Sequence, residues 1–190
     1  FRDAIAHERA GEVMEGLLSR GFLGNKTGQG FYKKTRDAKG KSTFLVLDPD
    51  TFDYVPQQDV AFPSVAELGK VRGLGERRKS FFDPRWDDDR GAQLVRKITA
   101  HFLAYSALRA PEIAFDLPSI DQAIRWGFSY ESGPFEMWDA MGVATTADAI
   151  AALGLPVAPW VRSMLDAGHD SFYRHEEGRA GAYYDWEAGT

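Results

Sequence analysis

Apolar positions change their spacing repeatedly along this chain, and each change marks a different kind of element. Between Phe1 and Arg20, Ile5, Val13, Leu17 and Leu18 form a helical stripe with Met14 beside them, as expected of an amphipathic helix. Gly21 then offers the left-handed residue that commonly stops such a helix. Gly24, Gly28 and Gly30 crowd a short loop, after which Phe31 and Tyr32 open a β-type stretch. Ser42 to Leu47 is strand-like, and Asp48-Pro49-Asp50 is turn chemistry before Phe52, Tyr54 and Val55. The pattern predicts a helix followed by a small antiparallel ribbon.

Periodicity weakens from residue 56 to residue 86, where Pro56, Pro63, Gly69, Gly73, Gly75 and Pro84 interrupt the chain. A connecting segment with one short helix near Val65 to Arg72 is expected there. After the acidic entry Asp87 to Asp89, Leu94, Ile98, Phe102 and Tyr105 recur at helical spacing, with Val95 alongside. This predicts a helix whose apolar stripe faces the core. Pro118-Ser119 reads as the start of the next helix, with Ser119 and Gln122 spaced as a capping box and Ala123, Ile124 and Trp126 as its apolar side. Gly133-Pro134 breaks and restarts the chain, with proline suited to a first helical position and Phe135, Trp138 and Met141 following at turn spacing. Thr145 with Asp148 reads as the cap of a further helix ending at Gly154, and Pro159 opens another carrying Trp160, Val161, Met164 and Leu165.

One pattern occurs twice. Leu17-Leu18-Ser19-Arg20-Gly21, leading to Gly30-Phe31-Tyr32, is echoed by Met164-Leu165-Asp166-Ala167-Gly168, leading to Ser171-Phe172-Tyr173. In both places an amphipathic helix stops at glycine and hands over to an aromatic segment, which suggests two copies of one unit with the first truncated at its front. The chain also opens at Phe1, inside a stretch that already reads as helix, so a piece of a longer polypeptide is expected.

Composition narrows the chemistry. At 190 residues the chain is long enough to bury a core without staples. It has no cysteine, which removes disulfides, thiolate zinc sites and cysteine nucleophiles. Its four histidines, His7, His101, His169 and His175, form no metal-binding pair, so no metal site is expected. A net charge of -5 gives no footprint for nucleic acid or an anionic membrane. The cluster Lys70, Arg72, Arg77, Arg78 and Lys79 is interleaved with Glu67 and Glu76 and followed by Asp83 and Asp87 to Asp89, and it reads as a self-compensating solvated face. No apolar run reaches membrane-helix length and no signal peptide is visible, so a cytoplasmic location is expected.

Two stretches carry a family likeness. Gly21-Phe22-Leu23-Gly24-Asn25-Lys26-Thr27-Gly28-Gln29-Gly30-Phe31-Tyr32 resembles the Gly-x-x-Gly-x-Lys-x-Gly-x-Gly-Phe-Tyr ending of the C-terminal domain of 3-hydroxyacyl-CoA dehydrogenases. Ile120-Asp121-Gln122-Ala123-Ile124-Arg125-Trp126-Gly127-Phe128, with Gly133-Pro134-Phe135-Glu136-Met137-Trp138-Asp139, is similar to the Asp-x-Ala-x-x-x-Gly and Gly-Pro-Phe-x-x-x-Asp signatures of the same domain. A single copy carries these in the opposite order, whereas here the Gly-Pro-Phe signature follows the other by about a hundred residues. The inversion resembles larger family members with tandem helical domains, often fused to an enoyl-CoA hydratase. It implies a mainly α fold, a helical bundle with small antiparallel β ribbons. Residues 1–60 would end the first copy, 61–87 would be a linker, and 88–190 would be the second copy. In single-copy relatives this domain forms the dimer interface, so the resemblance implies a pseudo-dimer here.

The family passes hydride from a 3-hydroxyacyl thioester to NAD in fatty-acid β-oxidation, using a histidine base, an orienting glutamate and an asparagine in the first helical copy. None of these can be placed in this chain, and Val95 stands near the place that matches the asparagine. A dinucleotide fingerprint needs Gly-x-Gly-x-x-Gly between strand and helix. Gly28-x-Gly30 reaches Lys33 and Gly73-x-Gly75 reaches Arg78 at the third position, so both fail. No catalytic, cofactor-binding or metal residue is therefore assigned, and NAD belongs to the parent enzyme. Lys26, Gly133, Pro134, Phe135 and Trp138 are the candidates for lining a substrate cleft or an interface, although a tight turn and helix packing also explain them. His101 reads as a structural or solvent-facing histidine.

The expected function is an assembly and cleft-shaping module of an NAD-dependent 3-hydroxyacyl-CoA dehydrogenase, an oxidoreductase, with the isolated chain inactive. Its implied partners are the parent's Rossmann domain, the first helical copy and an acyl-CoA, with homo-oligomerisation open. A different class is a free-standing helical interaction or regulatory domain descended from that family. A third is an enzyme in its own right using Glu131, Glu136 or Asp139 as an acid–base pair, for which no nucleophile or metal partner is visible.

Overall fold

The computed structural model describes residues 8–174 and 181–190. The front of the first expected helix, with Ile5 and His7, lies outside the described residues, as does His175. The chain divides into two compact units at Val60 and Ala61. Each is built on its own core, and the whole is mainly helical with one small antiparallel sheet, as the pattern predicts.

In the smaller unit, α1 (Glu8–Ser19) leads through a 3-10 turn at Asn25–Thr27 into β1 (Tyr32–Arg36), β2 (Ser42–Leu47) and β3 (Tyr54–Pro56). The strands form an antiparallel meander in the order β1-β2-β3, with Tyr32 opposite Val46 and Leu47 opposite Tyr54. Val13, Leu17 and Leu47 are its buried residues, packed by Phe22, Phe52 and Tyr54. The Tyr54 hydroxyl donates to the Gly30 carbonyl at 2.7 Å, tying the last strand to the glycine loop.

The larger unit begins where a linker is expected. Residues 61–87 carry a short helix close to the expected one, α2 (Pro63–Leu68), and a second that was not expected, α3 (Leu74–Ser80), with a 3-10 turn at Pro84–Trp86. Leu68 and Phe81 are buried with Ala92, and α3 packs against α6. The breaker residues here separate short helices; Pro63 sits in the first turn of α2, where its missing N–H costs nothing. The basic cluster is not wholly solvated either, since Arg77 Nε donates to the Val71 carbonyl and Arg78 to Thr99 Oγ1.

Next come α4 (Arg90–Ile113), α5 (Leu117–Phe128), α6 (Pro134–Met141), α7 (Val143–Ala152) and α8 (Pro159–Asp166). Asp89 caps α4 through the Ala92 amide, consistent with the acidic entry. Its buried face is not the expected stripe: Ala92, Thr99, Ala100, Leu103, Ala104, Ala107 and Ala110 are inside, while Leu94 and Ile98 are 58% and 56% exposed. Small residues let α6 and α7 approach α4 closely, so the alanine stripe takes the core although the larger side chains dominate the hydrophobic periodicity. On α5 the cap is Asp116, accepting from the Ser119 amide, and not Ser119. Ile120 and Asp121 are buried there, whereas Trp126 is 74% exposed. α7 starts from Gly142 rather than from a Thr145–Asp148 cap.

The core centres on α6, which packs against α3, α4, α5 and α7. Phe135 and Trp138 are fully buried, and Phe172 meets both edge-on at 5.2 and 5.4 Å between ring centroids. Such edge-to-face pairs favour the ring quadrupoles beyond simple burial. Two residues beyond α8, Gly168 stands at φ 86°, and Gly21 after α1 stands at φ 69°. The amides of His169 and Phe22 then donate back to the Met164 and Leu17 carbonyls. The two halves of the sequence echo thus end their helices with the same backbone closure, which needs a residue able to adopt positive φ.

Candidate functional site

The second signature folds into one cluster around a buried carboxylate. Asp121 lies on the inner face of α5 and is 1% exposed. Its Oδ1 accepts from the Phe135 amide at 2.9 Å, and its Oδ2 accepts from the Glu136 amide at 3.0 Å and the Tyr173 hydroxyl at 2.7 Å. It therefore caps the N-terminus of α6 from a different helix, satisfying amides that have no partner within α6. Gly133 makes this approach possible: a Cβ there would stand 2.3 Å from the Asp121 Cα, Cβ and Oδ1. Glu136 folds back so that Oε2 accepts from the Gly133 amide at 2.9 Å, while Oε1 accepts from Arg125 at 2.7 Å. Two turns of α6 thus end in a closed set of charge-assisted bonds.

Asp139, on the same helix, accepts from the amides of Phe172 and Tyr173 at 2.7 and 2.9 Å. Together Asp121 and Asp139 hold the segment 171–173 against α6. Burial pushes the Asp121 carboxyl up to about 6, opposed by its Phe135, Tyr173 and Glu136 donors and reinforced by the Glu136 charge. Burial also raises the Tyr173 phenol, with the Asp121 charge adding to the effect.

Beside this cluster lies a cavity of about 870 Å³ lined by Arg125, Glu131, Ser132, Glu136, Asp139, Ala140, Asp170, Ser171 and Tyr173. Glu131, Glu136 and Asp139 do meet there, but Glu136 and Asp139 spend their oxygens on the bonds just described. No group of three or more His, Cys, Asp or Glu side chains suited to a metal occurs among the described residues.

Of the residues singled out from the sequence, Pro134, Phe135 and Trp138 are buried, with Trp138 Nε1 donating to the Val143 carbonyl at 3.1 Å. Gly133 is buried against Asp121. Lys26 is exposed on its 3-10 turn in the smaller unit. Val95 packs on the cluster of Leu68, Phe81 and Ala92, and His101 Nδ1 is paired with the Lys97 carbonyl one turn earlier at 2.8 Å. Sequence reasoning missed the part played by Tyr173 and the central place of Asp121. The aromatic echo at 171–173 was the available signal, but nothing local says that its amides and phenol reach residues 33 to 52 positions away.

The chain is 40% identical over 177 residues to a probable 3-hydroxyacyl-CoA dehydrogenase of Bacillus subtilis (strain 168). The similarity takes in 93% of this chain and 21% of that dehydrogenase, so the chain spans about a fifth of the length of the curated relative it matches. The likeness read from the two signatures is borne out by this match, which covers both units. No family model matches the chain.

NAD is the cofactor that likeness implies, and the described residues offer no dinucleotide turn to fit it. The only named strands among the described residues form an antiparallel meander, with no strand-to-helix glycine turn of the dinucleotide kind. The glycine loop closes on itself through the Gly24 amide and the Gln29 carbonyl at 2.8 Å. No described helix is long and apolar enough to cross a membrane.

Proposed function

We propose that this chain is the C-terminal module of an NAD-dependent 3-hydroxyacyl-CoA dehydrogenase of fatty-acid β-oxidation. In this reading it supplies assembly surface and shapes the acyl-CoA cleft, while the proton acceptor and the nucleotide site reside elsewhere in the parent. Residues 1–60 close a first helical copy, and a second occupies the region from 88 onward, with residues 61–87 between them. The observation that carries the reading is the way the family signature is spent. Asp121, Gly133, Glu136 and Asp139 cap α6 and fasten the 171–173 segment. A general base must reach the proton it removes, and these carboxylates are engaged by backbone amides, Arg125 and Tyr173.

The test uses this chain as it stands. Titration calorimetry with NAD should give no binding heat, and acetoacetyl-CoA with NADH should show no turnover, while the whole parent protein does both. Nucleotide binding or turnover by these residues alone would overturn the proposal. A parent without dehydrogenase activity would instead favour the free-standing interaction domain, which the exposed apolar side chains of α4 and α5 would also suit.

A further inference from the structure

Beyond α8 the chain turns back on itself beside α6. Tyr173 and Tyr183 form an antiparallel bridge, the Arg174 amide donates to the Ala182 carbonyl, and the Tyr184 amide donates to the Phe172 carbonyl, both at 2.8 Å. The last residues close a turn of their own: the Asp185 amide donates to the Thr190 carbonyl, and the Asp185 carboxylate accepts from the amides of Glu187 and Ala188. Residues 171–174 and 182–190 thus satisfy much of their own backbone. Among the described residues, that backbone is hydrogen-bonded to the helices only where the amides of Phe172 and Tyr173 donate to Asp139.

Side chains supply the other ties. The Tyr173 hydroxyl donates to Asp121, Phe172 sits against Phe135, Trp138 and Trp160, and Tyr184 stacks on Trp160 at 6.2 Å. A segment bonded mainly to itself and fastened through a few side chains can open without the helices beneath it. It is also a wall: Asp170, Ser171 and Tyr173 line one side of the cavity of about 870 Å³, and α5, α6 and the loop between them supply the rest.

We propose that residues 171–174 and 182–190 form a strap that opens as a unit while the helices stay folded, taking one wall of the cavity with it, and that the charge on Asp121 controls the opening. The charged and titratable groups around this carboxylate are Arg125 on its own helix, Glu136 and Asp139 on α6, Tyr173 on the strap, and Glu131 and Asp170 beside the cavity. Arg125 is paired with Glu136, so the bonds to Asp121 come from two amides and a phenol rather than from a cation. Burial and the Asp121 charge hold the Tyr173 phenol above its ordinary value, which keeps it a donor. With the strap closed, burial holds the Asp121 carboxyl up at about 6; with the strap open, water reaches it and it returns towards 3.8. The closed form keeps a proton between those values that the open form releases, so opening becomes easier as pH rises from 4 to 6.

Native-state hydrogen exchange of the chain tests this, read at the amides of Phe172 and Tyr173 and at those of α4 around Leu103. The strap amides should be less protected than those of α4 and respond weakly to low denaturant, because a local opening exposes little surface. After correction for the intrinsic rate, strap protection should fall by about 30-fold from pH 4 to pH 6, and Asp121→Asn should flatten that profile. Tyr173→Phe keeps the ring and removes the tie to Asp121, so strap protection should drop by about tenfold or more. Leu103→Ala, a change beneath the strap's reach, should lower protection along α4 and leave the strap amides as they were. Strap and α4 amides sharing one protection and one denaturant response would overturn the proposal. So would strap protection that does not change between pH 4 and pH 6.

Discussion

Asp121 ties three segments of the larger unit together through one side chain. Three donors meet its two oxygens, and one donor comes from the far end of the chain, so the carboxylate joins α5, α6 and the 171–173 segment at one point. Its titration is a stability statement. The folded carboxyl stands at about 6 against an ordinary value of 3.8. The native state therefore holds a proton between those values that the unfolded chain has released. Stability from this group is complete below about pH 4 and falls as pH rises to 6. About two pKa units correspond to an upper bound of roughly 3 kcal/mol. The Asp121→Asn variant does not titrate there and also loses acceptor capacity, so it should be less stable throughout. The expected signature is in the difference: the wild-type advantage over Asp121→Asn, measured by denaturant unfolding, should shrink from pH 4 to pH 6. A gap independent of pH would contradict the raised carboxyl.

At the scale of elements, α4 shows how one helix can carry two apolar stripes with different destinations. The alanine-rich stripe with Leu103 is buried, and the stripe of larger side chains containing Leu94 and Ile98 is not. Truncating the two stripes should therefore separate them sharply. Leu103→Ala should cost about 2 to 5 kcal/mol, because the cavity it leaves in a close-packed interior cannot fully collapse. Leu94→Ala should change stability by about 0.5 kcal/mol or less, as an exposed substitution away from such packing. Chemical denaturation of the two variants checks both. Much of the element order was legible in the sequence: α1, the meander, α4 to α6 and α8 follow from periodicity, turn chemistry and the Gly-Pro restart. The inner face of α4 was not legible, because alanine contributes weakly to a hydrophobic pattern yet is favoured where backbones approach. The cap of α5 was read three residues too late for a related reason, since Pro118-Ser119 and Asp116 all suit a helix start.

For the whole molecule, the division at Val60 and Ala61 separates two cores of unequal size. The smaller unit buries only Val13, Leu17 and Leu47 among its described apolar residues, while the larger buries two fully enclosed aromatic side chains on α6 alone. A segment of fewer than about 60 residues buries a small share of its surface and is marginal on its own. Scanning calorimetry of the chain should show a weak, low-temperature transition and a second, stronger one. Deleting residues 1–60 should remove the first and leave the second in place. A single transition lost entirely on deletion would mean that the two cores fold as one.

The sequence alone determined the local structure, because helix stops, proline starts and strand alternation depend on neighbours a few residues apart. It also determined the family likeness, carried by two runs of residues whose order is part of the signal. Only the tertiary structure decided what those runs are used for. Whether a carboxylate is a free base or a spent acceptor depends on which amides lie within about 3 Å of it. For Asp121 and Asp139 the amides and phenol come from positions 14 to 52 residues away. No local pattern encodes such a meeting; it follows from how α5, α6 and the 171–173 segment pack around shared aromatic rings.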